Sequence, residues 1–214
     1  MDVLVVWGSG LVGTNVVSTA GARDHHVVGT YYTDESTPSA HRLDKRRMDE
    51  VRRLVADVKP DVVIDTAAMT DVDACESERN PAWQVNAQGT RNVATAAADV
   101  GAHYVTLSTD YVFPGDPADT PYAESDPVSP EGYYARTKYA GEQAARIADD
   151  WTILRTSVVY GLGNPNFVTW ALGELESGES VGIVDDQIST PTYAPDVARA
   201  CVEAAEEGLT GLYH

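Results

Sequence analysis

Cysteine and long hydrophobic runs are scarce in the sequence, and their scarcity argues against several classes of protein. Cys75 and Cys201 are the only cysteines, and their separation matches neither a metal site nor a redox motif. A disulfide scaffold is therefore not expected. No apolar stretch approaches the roughly 18 residues of a membrane-spanning helix, and the amino terminus, MDVLVVWGSG, is acidic, unlike a secretory signal. We expect a globular protein of the cytoplasm.

Lysine is also scarce, and acidic side chains dominate the charge. The 214 residues carry 33 acidic and 15 basic side chains, a formal net charge of −18, and the lysines are Lys45, Lys59 and Lys138. Such a surface repels the phosphates of nucleic acids and of anionic lipids, so we expect neither nucleic acid nor membrane as a partner. The negative charges repel one another, and salt weakens this repulsion because the Debye length falls to about 3 Å at 1 M salt. Such a charge is therefore suited to a salt-rich cell. We therefore expect a halophilic source.

Short buried strands alternate with amphipathic helices along the chain, which is typical of a parallel sheet covered on both faces. Asn80 and Pro81 indicate a helix start, because asparagine caps free amides and proline suits a first turn. The predicted strands span residues 2–7, 27–32, 61–65, 103–107, 152–155 and 181–184. The predicted helices span residues 11–20, 46–58, 80–100, 131–148, 166–176 and 195–206. The fold class is α/β, a doubly wound, Rossmann-like parallel sheet.

A glycine-rich turn joins the first predicted strand to the first predicted helix. Gly8, Gly10 and Gly13 have the G-x-G-x-x-G spacing. Glycines there let the backbone approach a pyrophosphate, and the helix amino terminus provides free amides with a partial positive charge. The pattern predicts a dinucleotide site, with a ligand-free turn as the alternative. The site would comprise Gly8, Ser9, Gly10, Leu11, Val12 and Gly13.

Two later segments depart from the alternating pattern. Five prolines between Pro114 and Pro130 exclude regular structure there, and a loop of this length is usually a lid or a binding loop. The composition changes again near Gly161. We predict an NAD(P)-binding domain over residues 1–160 and a small, truncated carboxyl-terminal substrate lobe over residues 161–214, interleaved with it.

Tyr134 and Lys138 lie four residues apart on a predicted helix and therefore on the same face. An ammonium group near a phenol stabilises the phenolate, so we expect the pKa of Tyr134 to be lowered. A phenol of this kind can exchange a proton with a carbinol oxygen. The alternative is a surface pair, but Lys138 is a rare lysine in a chain that prefers arginine, which favours a role for its ammonium.

Polar and small residues follow two further predicted strands. Ligands of open α/β sheets bind beyond the carboxyl ends of the strands. Ser108, Thr109, Asp110 and Tyr111 stand at such an end, and a hydroxyl there could hold a substrate oxygen beside Tyr134. The segment DTAAMTDVDACE begins similarly at residue 65, where small Ala67 and Ala68 would allow a nucleotide to approach.

The histidines and tryptophans receive no function from the sequence. Neither the five histidines nor the carboxylates form a cluster with metal-ligand spacing, so no metal site is predicted. The four tryptophans are interpreted as packing residues.

Together these elements resemble the dTDP-4-dehydrorhamnose reductase family of the extended short-chain dehydrogenase/reductase superfamily. The matching segments follow one another along nearly the whole chain: GSGLVG, DTAAMTDVDACE, VN at residues 85–86, STDYVFPG, SPEGYYARTKYAGE, RTSVVYG and DQISTPTYAPDVA. STDYVF, Y-x-x-x-K-x-x-G-E and R-T-S-x-V-Y-G in this order are specific. Trp7 stands where the family usually has a glycine, and Val158 stands where rhamnose-pathway enzymes usually have an aromatic residue near the sugar.

The resemblance implies hydride transfer from NADPH or NADH to C4 of a nucleotide-linked 4-keto-6-deoxy sugar. It implies Thr109, Tyr134 and Lys138 as the catalytic trio. The substrate-side residues would be Asp110, Tyr111 and Val158. The residues that contact or frame the cofactor would include Gly10, Gly13, Ala67, Ala68, Asn86, Tyr134 and Lys138.

Several alternatives remain open at this point. An epimerase or dehydratase of nucleotide sugars would use the same tyrosine and lysine, and a non-catalytic regulatory subunit like that of methionine adenosyltransferase would bind the cofactor only. Asp34 and Glu35 after the second strand would favour NAD, whereas Arg42 would serve the 2′-phosphate of NADP. A homodimer is a further expectation.

Overall fold

Seven parallel strands form the central sheet in a computed structural model that describes residues 1–33, 40–116 and 120–214. Their order across the sheet is β3-β2-β1-β4-β5-β6-β9, and each neighbouring pair is parallel. This confirms the predicted doubly wound sheet, because chain order reverses at β1. The strands are β1 (Asp2–Val6), β2 (His26–Tyr31), β3 (His41–Arg42), β4 (Val62–Asp65), β5 (His103–Thr109), β6 (Trp151–Thr156), β7 (Val159–Tyr160), β8 (Thr192–Tyr193) and β9 (Gly211–Tyr213).

Helices cover both faces of the sheet and enclose two apolar clusters. One cluster packs β-strand residues such as Leu4 and Tyr104 against helices α2, α5 and α6, and the other packs Val5 and Val105 against α1 and α8. The helices are α1 (Leu11–Ala22), α2 (Met48–Val58), α3 (Val72–Ser77), α4 (Arg79–Trp83), α5 (Thr90–Val100), α6 (Tyr133–Ala145), α7 (Phe167–Glu176) and α8 (Ala194–Glu206). Burial on both faces explains the continuous apolar strand sequences.

The helix predicted over residues 80–100 is interrupted. It begins one residue earlier, at Arg79, and a π-helical segment spans Gln84–Gly89 before α5. Asn80 therefore lies inside the helix, and its prediction as the capping residue is wrong. A Cβ on Gly141 would lie only 2.5 Å from the Asn86 carbonyl oxygen, so this glycine lets α6 pack closely against the π-helical segment.

The strand predicted over residues 181–184 is wrong. That segment has no regular structure, and the side chains of Ile183 and Val184 are 57% and 65% exposed. Its β-branched residues favour a strand locally, but no neighbouring strand pairs with it in the described part of the chain. The short strands β3, β7 and β8 and the helix α3 were not predicted.

The carboxyl-terminal region contributes strands to both sheets of the structure. Strand β9 forms one edge of the main sheet, and α8 packs against a face of that sheet. Both follow the predicted domain boundary at residue 160. Residues 161–193 contain α7 and extended segments, and β7 and β8 form a separate two-stranded sheet. The division into two domains stays a prediction. Within the described ranges, no helix has both the length and the apolar character to cross a bilayer.

Candidate active site

A cavity of about 520 Å³ opens where the carboxyl ends of β1, β4, β5 and β6 meet. It brings together most of the residues that the sequence singled out, although they come from separate parts of the chain. The carboxyl ends of parallel strands face the same edge of a sheet, which explains this convergence. The predicted residues on its wall are Gly10, Leu11, Val12, Gly13, Ala68, Thr109, Asp110, Tyr111, Tyr134, Lys138 and Val158.

Four predicted site residues do not line this cavity. Ala67 lines a second cavity of about 230 Å³, beside the ends of β1 and β2. Gly8, Ser9 and Asn86 line neither of the two.

Asn86 instead connects two parts of the scaffold. Its side-chain amide is 1% exposed and donates to the Met69 carbonyl and to Thr137 Oγ1, both at 3.0 Å. The side-chain Oδ1 of Asn86 accepts from the Met69 backbone amide at 2.8 Å. These bonds tie the segment after β4 to α6, so Asn86 positions the cavity wall from behind it.

The turn before α1 is unusual because a tryptophan opens it. Trp7 has φ +63°, in the left-handed region where a bulky residue costs roughly 1–3 kcal/mol. Gly13 allows the helix to approach this turn, since a Cβ there would lie 2.0 Å from the Trp7 carbonyl oxygen. Gly10 is less constrained, because a Cβ there would lie 3.5 Å from the same oxygen. Gly8 is needed for a different reason, since its Cβ would lie 3.3 Å from the Gly29 Cα on β2.

The amino terminus of α1 faces the cavity without a capping side chain. Gly10 is the N-cap residue, no side chain hydrogen-bonds to the helix end, and the first turn holds no acidic residue in the described structure. The first amides of a helix have no intrahelical partner and carry a partial positive charge. The buried Ser9 hydroxyl in the same turn also has no hydrogen-bond partner among the described residues. This end of the cavity is therefore suited to an anion.

Thr109 is the last residue of β5 and shapes the turn that follows. Its Oγ1 accepts a hydrogen bond from the Tyr111 amide at 3.2 Å and donates to Asp110 Oδ1 at 3.3 Å. The Tyr111 ring packs edge-on against the Tyr134 ring, with centroids 6.0 Å apart. The hydroxyl, the carboxylate and both phenols thus border the same space.

Burial dominates the electrostatics of Tyr134. It raises the pKa of the phenol above its ordinary value, and hydrogen bonding with the Thr109 hydroxyl opposes part of that rise. The expectation of a lowered pKa is wrong here, because the effect of burial dominates, and Lys138 directs its Nζ to the Leu107 carbonyl oxygen at 2.9 Å. A phenol with an ordinary pKa near 10 is already protonated at neutral pH, and this upward shift keeps Tyr134 so.

Lys138 is buried, with 8% of its surface exposed. Burial lowers its pKa to about 8, the positive charge of Lys45 adds to this, and Asp65 and Glu142 oppose it. The ammonium group therefore loses its charge just above neutral pH.

Lys45 forms a buried ion pair that the sequence analysis missed. Its Nζ donates to Asp65 Oδ2 at 2.6 Å and to the Ala67 carbonyl at 2.9 Å. Tyr104 donates its hydroxyl to the same Asp65 oxygen at 2.9 Å. This network holds the chain where it leaves β4 and enters the cavity wall. The rarity of lysine in the sequence could have drawn attention to Lys45. Its partner, Asp65, lies 20 residues away and could not be identified from the sequence.

A second buried ion pair lies between α6 and β6. Arg155 on β6 contacts both carboxylate oxygens of Glu142 on α6 at 2.8 Å, and Ser108 Oγ donates to the same carboxylate at 2.6 Å. The Arg155 guanidinium also lies 5.1 Å from the Phe113 ring centroid. Because Glu142 is one helical turn beyond Lys138, this contact fixes the helix that carries Tyr134.

The remaining wall comes from the segment after β6. Val158, Asn164 and Phe167 line it, and Ser157 is hydrogen-bonded to Ser189 at 2.5 Å. Gln187 Nε2 donates to the Tyr111 hydroxyl at 2.8 Å. Pro165 and Asn166 also line it, and the sequence analysis assigned none of this segment except Val158.

The residues weighed for cofactor choice are only partly described. Asp34 and Glu35 lie outside the described residues. Arg42 lies 5.8 Å from the Tyr32 ring centroid and lines neither cavity. Arg46, which the sequence analysis did not single out, lines the second cavity and donates to the Tyr32 hydroxyl at 2.6 Å.

Proteins of known name are similar to this chain in sequence. A dTDP-4-dehydrorhamnose reductase of Mycobacterium tuberculosis is 43% identical over 156 residues, which are 71% of this chain and 51% of that protein. The "Probable low-salt glycan biosynthesis reductase Agl14" of Haloferax volcanii is 36% identical over 222 residues, covering 100% of this chain and 74% of that protein.

Solved structures give the same result. The crystal structure of dTDP-4-dehydrorhamnose reductase from Bacillus anthracis in complex with NADP superposes with a TM-score of 0.89 at 33% identity, covering 100% of this chain and 73% of that one. The chain thus spans about half to three quarters of the length of these proteins. The family model described as RmlD substrate binding domain matches residues 1–214, and the chain belongs to that family.

Proposed function

We propose that the chain is an NAD(P)H-dependent reductase of the C4 keto group of a nucleotide-linked 4-keto-6-deoxy sugar. The observation that carries the proposal is that Thr109, Tyr134 and Lys138 line the same 520 Å³ cavity as the amino terminus of α1. The reductase names of the relatives support the reaction, and NADP in the Bacillus anthracis structure supports the cofactor.

The residues present fit a nicotinamide dinucleotide. The uncapped first turn of α1 offers free amides to a pyrophosphate, and Gly10 and Gly13 keep side chains away from it. Tyr134 and Lys138 line the cavity where the nicotinamide half would lie. A reduced nicotinamide held there would supply the hydride.

Tyr134 would deliver the proton that the reduction requires. A phenol with an ordinary pKa near 10 is already protonated at neutral pH, which is the form a proton donor needs, and burial raises the pKa of Tyr134 further. Its hydroxyl would protonate the oxygen at C4, while the Thr109 hydroxyl hydrogen-bonds the same oxygen. Lys138 would hold the cofactor ribose and stabilise the phenolate left after proton transfer.

Tyr134→Phe tests the proposal. We expect turnover to fall by about 10²-fold or more, because a positioned proton donor contributes 10²–10⁴-fold. The Kd of NADPH, measured by fluorescence titration, should change by less than about twofold, because less than about 0.4 kcal/mol of contact is removed. Tyr139→Phe on the same helix is the matched control, since Tyr139 does not line the cavity. Unchanged turnover in Tyr134→Phe would remove the mechanism.

The form of the assay separates the reductase from its alternatives. Stoichiometric oxidation of added NADPH or NADH with a 4-keto-6-deoxy nucleotide sugar supports a reductase. An epimerase or dehydratase would turn over without net oxidation, and a regulatory subunit would bind the cofactor without turnover. Parallel titrations with NADH and NADPH would determine which cofactor binds more tightly.

The substrate side and the setting of the enzyme are further parts of the proposal. Asp110, Tyr111 and Val158 border the cavity beside Tyr134 and would contact the sugar. A cytoplasmic location, a homodimer, a halophilic source and the absence of nucleic-acid partners stay predictions, which cell fractionation, light scattering, salt-dependent stability and binding assays can check.

A further inference from the structure

Trp7 holds a backbone conformation that glycine would adopt without strain. Its amide donates to Thr30 Oγ1 at 2.9 Å, and its carbonyl accepts from the Gly10 amide at 3.1 Å and from Thr66 Oγ1 at 3.2 Å. These contacts with β2 and β4 impose the left-handed φ of +63° on whatever residue stands here. A reason for tryptophan at this position must therefore come from its side chain.

The Trp7 side chain lies at the junction of the two cavities. Trp7 and Ala68 are the residues that line both the 520 Å³ and the 230 Å³ cavities. The indole Cγ and Cδ1 lie 3.8 Å from the place where a Cβ on Gly10 would be, so the ring stands beside the amino terminus of α1. Its Nε1–H has no acceptor within the described part of the chain. The indole is therefore available to a ligand that passes from one cavity to the other.

The second cavity has the walls of a pocket for a flat, partly polar group. Leu43 and Met69 supply apolar surface, and the Arg46 guanidinium lies 5.2 Å from the Tyr32 ring centroid. Asp44 holds Arg46 in place through an ion pair at 2.7 Å. This cavity lies at the end of β2, next to the turn. A dinucleotide with its nicotinamide beside Tyr134 and its pyrophosphate at α1 extends its other half in this direction.

We propose that Trp7 is a cofactor-contacting residue whose indole packs against the adenosine side of the dinucleotide where it leaves the pyrophosphate turn. The proposal rests on the proposed function, because it requires a dinucleotide in the larger cavity. The aromatic face would contact ribose or base, and Nε1–H would donate to a phosphate oxygen. The strain at Trp7 would then be offset by contacts made only with the ligand.

The test uses ADP as the probe for the adenosine half and nicotinamide mononucleotide for the other half. ADP should quench the tryptophan emission of the parent chain, and nicotinamide mononucleotide at the same concentration should quench it much less. Trp7→Phe should abolish most of the ADP-dependent quenching. Trp83→Phe is the matched control, because Trp83 is 46% exposed on α4 and lines neither cavity. It should keep the quenching.

Affinity provides a second readout that does not depend on turnover. Trp7→Gly relieves the backbone strain, so the fold should survive, while the Kd of ADP in calorimetry should rise by about fivefold or more through loss of the aromatic contact. Trp7→Phe keeps an aromatic ring and should bind ADP with an intermediate Kd. Equal ADP affinity in the parent, Trp7→Gly and Trp7→Phe chains would overturn the proposal.

The two proposals fail in different ways. If the parent chain binds neither ADP nor NADPH, the proposed function fails and Trp7 loses its role with it. If the parent chain binds NADPH and reduces the sugar while the Trp7 variants bind ADP as the parent does, only the inference about Trp7 fails.

Discussion

The two walls of the large cavity are held in different ways. The wall formed by β5 and α6 is fixed by buried polar contacts, with Glu142 and Arg155 at 1% and 4% side-chain exposure. A second wall includes residues from the segment 157–167, which leads into α7, a helix with no buried residue. Leu172 and Leu175 on α7 are 54% and 61% exposed.

This difference suits a division of labour between the walls. Groups that transfer a proton must be held within a fraction of an ångström, which packing and a second layer of hydrogen bonds achieve. Segments that contact a variable substrate are drawn from regions with few buried contacts. The wall that carries Tyr134 is held by buried polar contacts, which would fix the position of its side chain. The wall that carries Asn166 leads into a helix without buried residues, so its position would be easier to change.

The largest effect is expected from breaking the buried ion pair of the rigid wall. Glu142→Gln leaves the Arg155 charge buried without its partner, so the free energy of unfolding should fall by roughly 3–5 kcal/mol. Chemical denaturation of the parent chain and of Glu142→Gln measures this difference in the free energy of unfolding. The matched control is Glu176→Gln on α7, where the change should stay within about 0.5 kcal/mol. The double replacement Glu142→Met with Arg155→Met should be less destabilising than Glu142→Gln, because no buried charge remains. Similar losses for Glu142→Gln and Glu176→Gln would contradict the comparison.

A smaller effect is expected from titrating Lys138 in the same wall. Its folded pKa is about 8, below the ordinary 10.5, so the ammonium that would hold the cofactor loses its proton above pH 8. The Kd of NADPH should then rise by up to about tenfold per pH unit, as expected for binding that requires one protonated group. Lys138→Met should bind more weakly and lose this pH dependence.

Stability provides the control for that titration. Between about pH 8 and 9 the unfolded chain keeps the proton that the folded Lys138 releases, so this residue makes stability rise with pH. Weaker NADPH binding in that window would therefore not come from a loss of stability caused by Lys138. A Kd that stays constant from pH 7 to pH 9 would show that the charge of Lys138 does not hold the cofactor.

The smallest effect is expected in the adjustable wall. Asn166 caps α7 by accepting from the Val168 and Thr169 amides, and its Nδ2 donates to the Gly161 carbonyl at 2.7 Å. Asn166→Ala should lower the opening free energy of the first α7 amides by about 1 kcal/mol, measured by hydrogen exchange. Exchange of α6 amides should not change. If Asn166→Ala lowered the free energy of global unfolding as much as Glu142→Gln does, the two walls would contribute equally to the stability of the fold.

Much of the site could be predicted because it depends on local patterns and on one topological rule. Thr109 ends β5, Ala68 follows β4 and Gly10 opens α1, so any parallel sheet of this order brings them to one edge. The pair Tyr134 and Lys138 follows from helical spacing alone.

The rest depends on contacts between distant segments. Lys45 and Asp65 pair across 20 residues, and Glu142 meets Arg155 only because α6 packs on β6. Asn86 was predicted beside the cofactor, yet the π-helical segment carries it behind the wall. Ile183 and Val184 have strand-forming side chains but no partner strand in the described structure.

The sequence by itself determined the parallel sheet, the glycine-rich turn and the helical spacing of the phenol and the ammonium, because each depends on residues close together in the chain. The tertiary structure alone decided the electrostatics of the site and the place of Trp7 between two cavities. Burial and approach of remote groups set a pKa and shape a pocket, and both are properties of the packed chain. Tyr134 shows the difference: its position was predicted, whereas the direction of its pKa shift was decided by the wall around it.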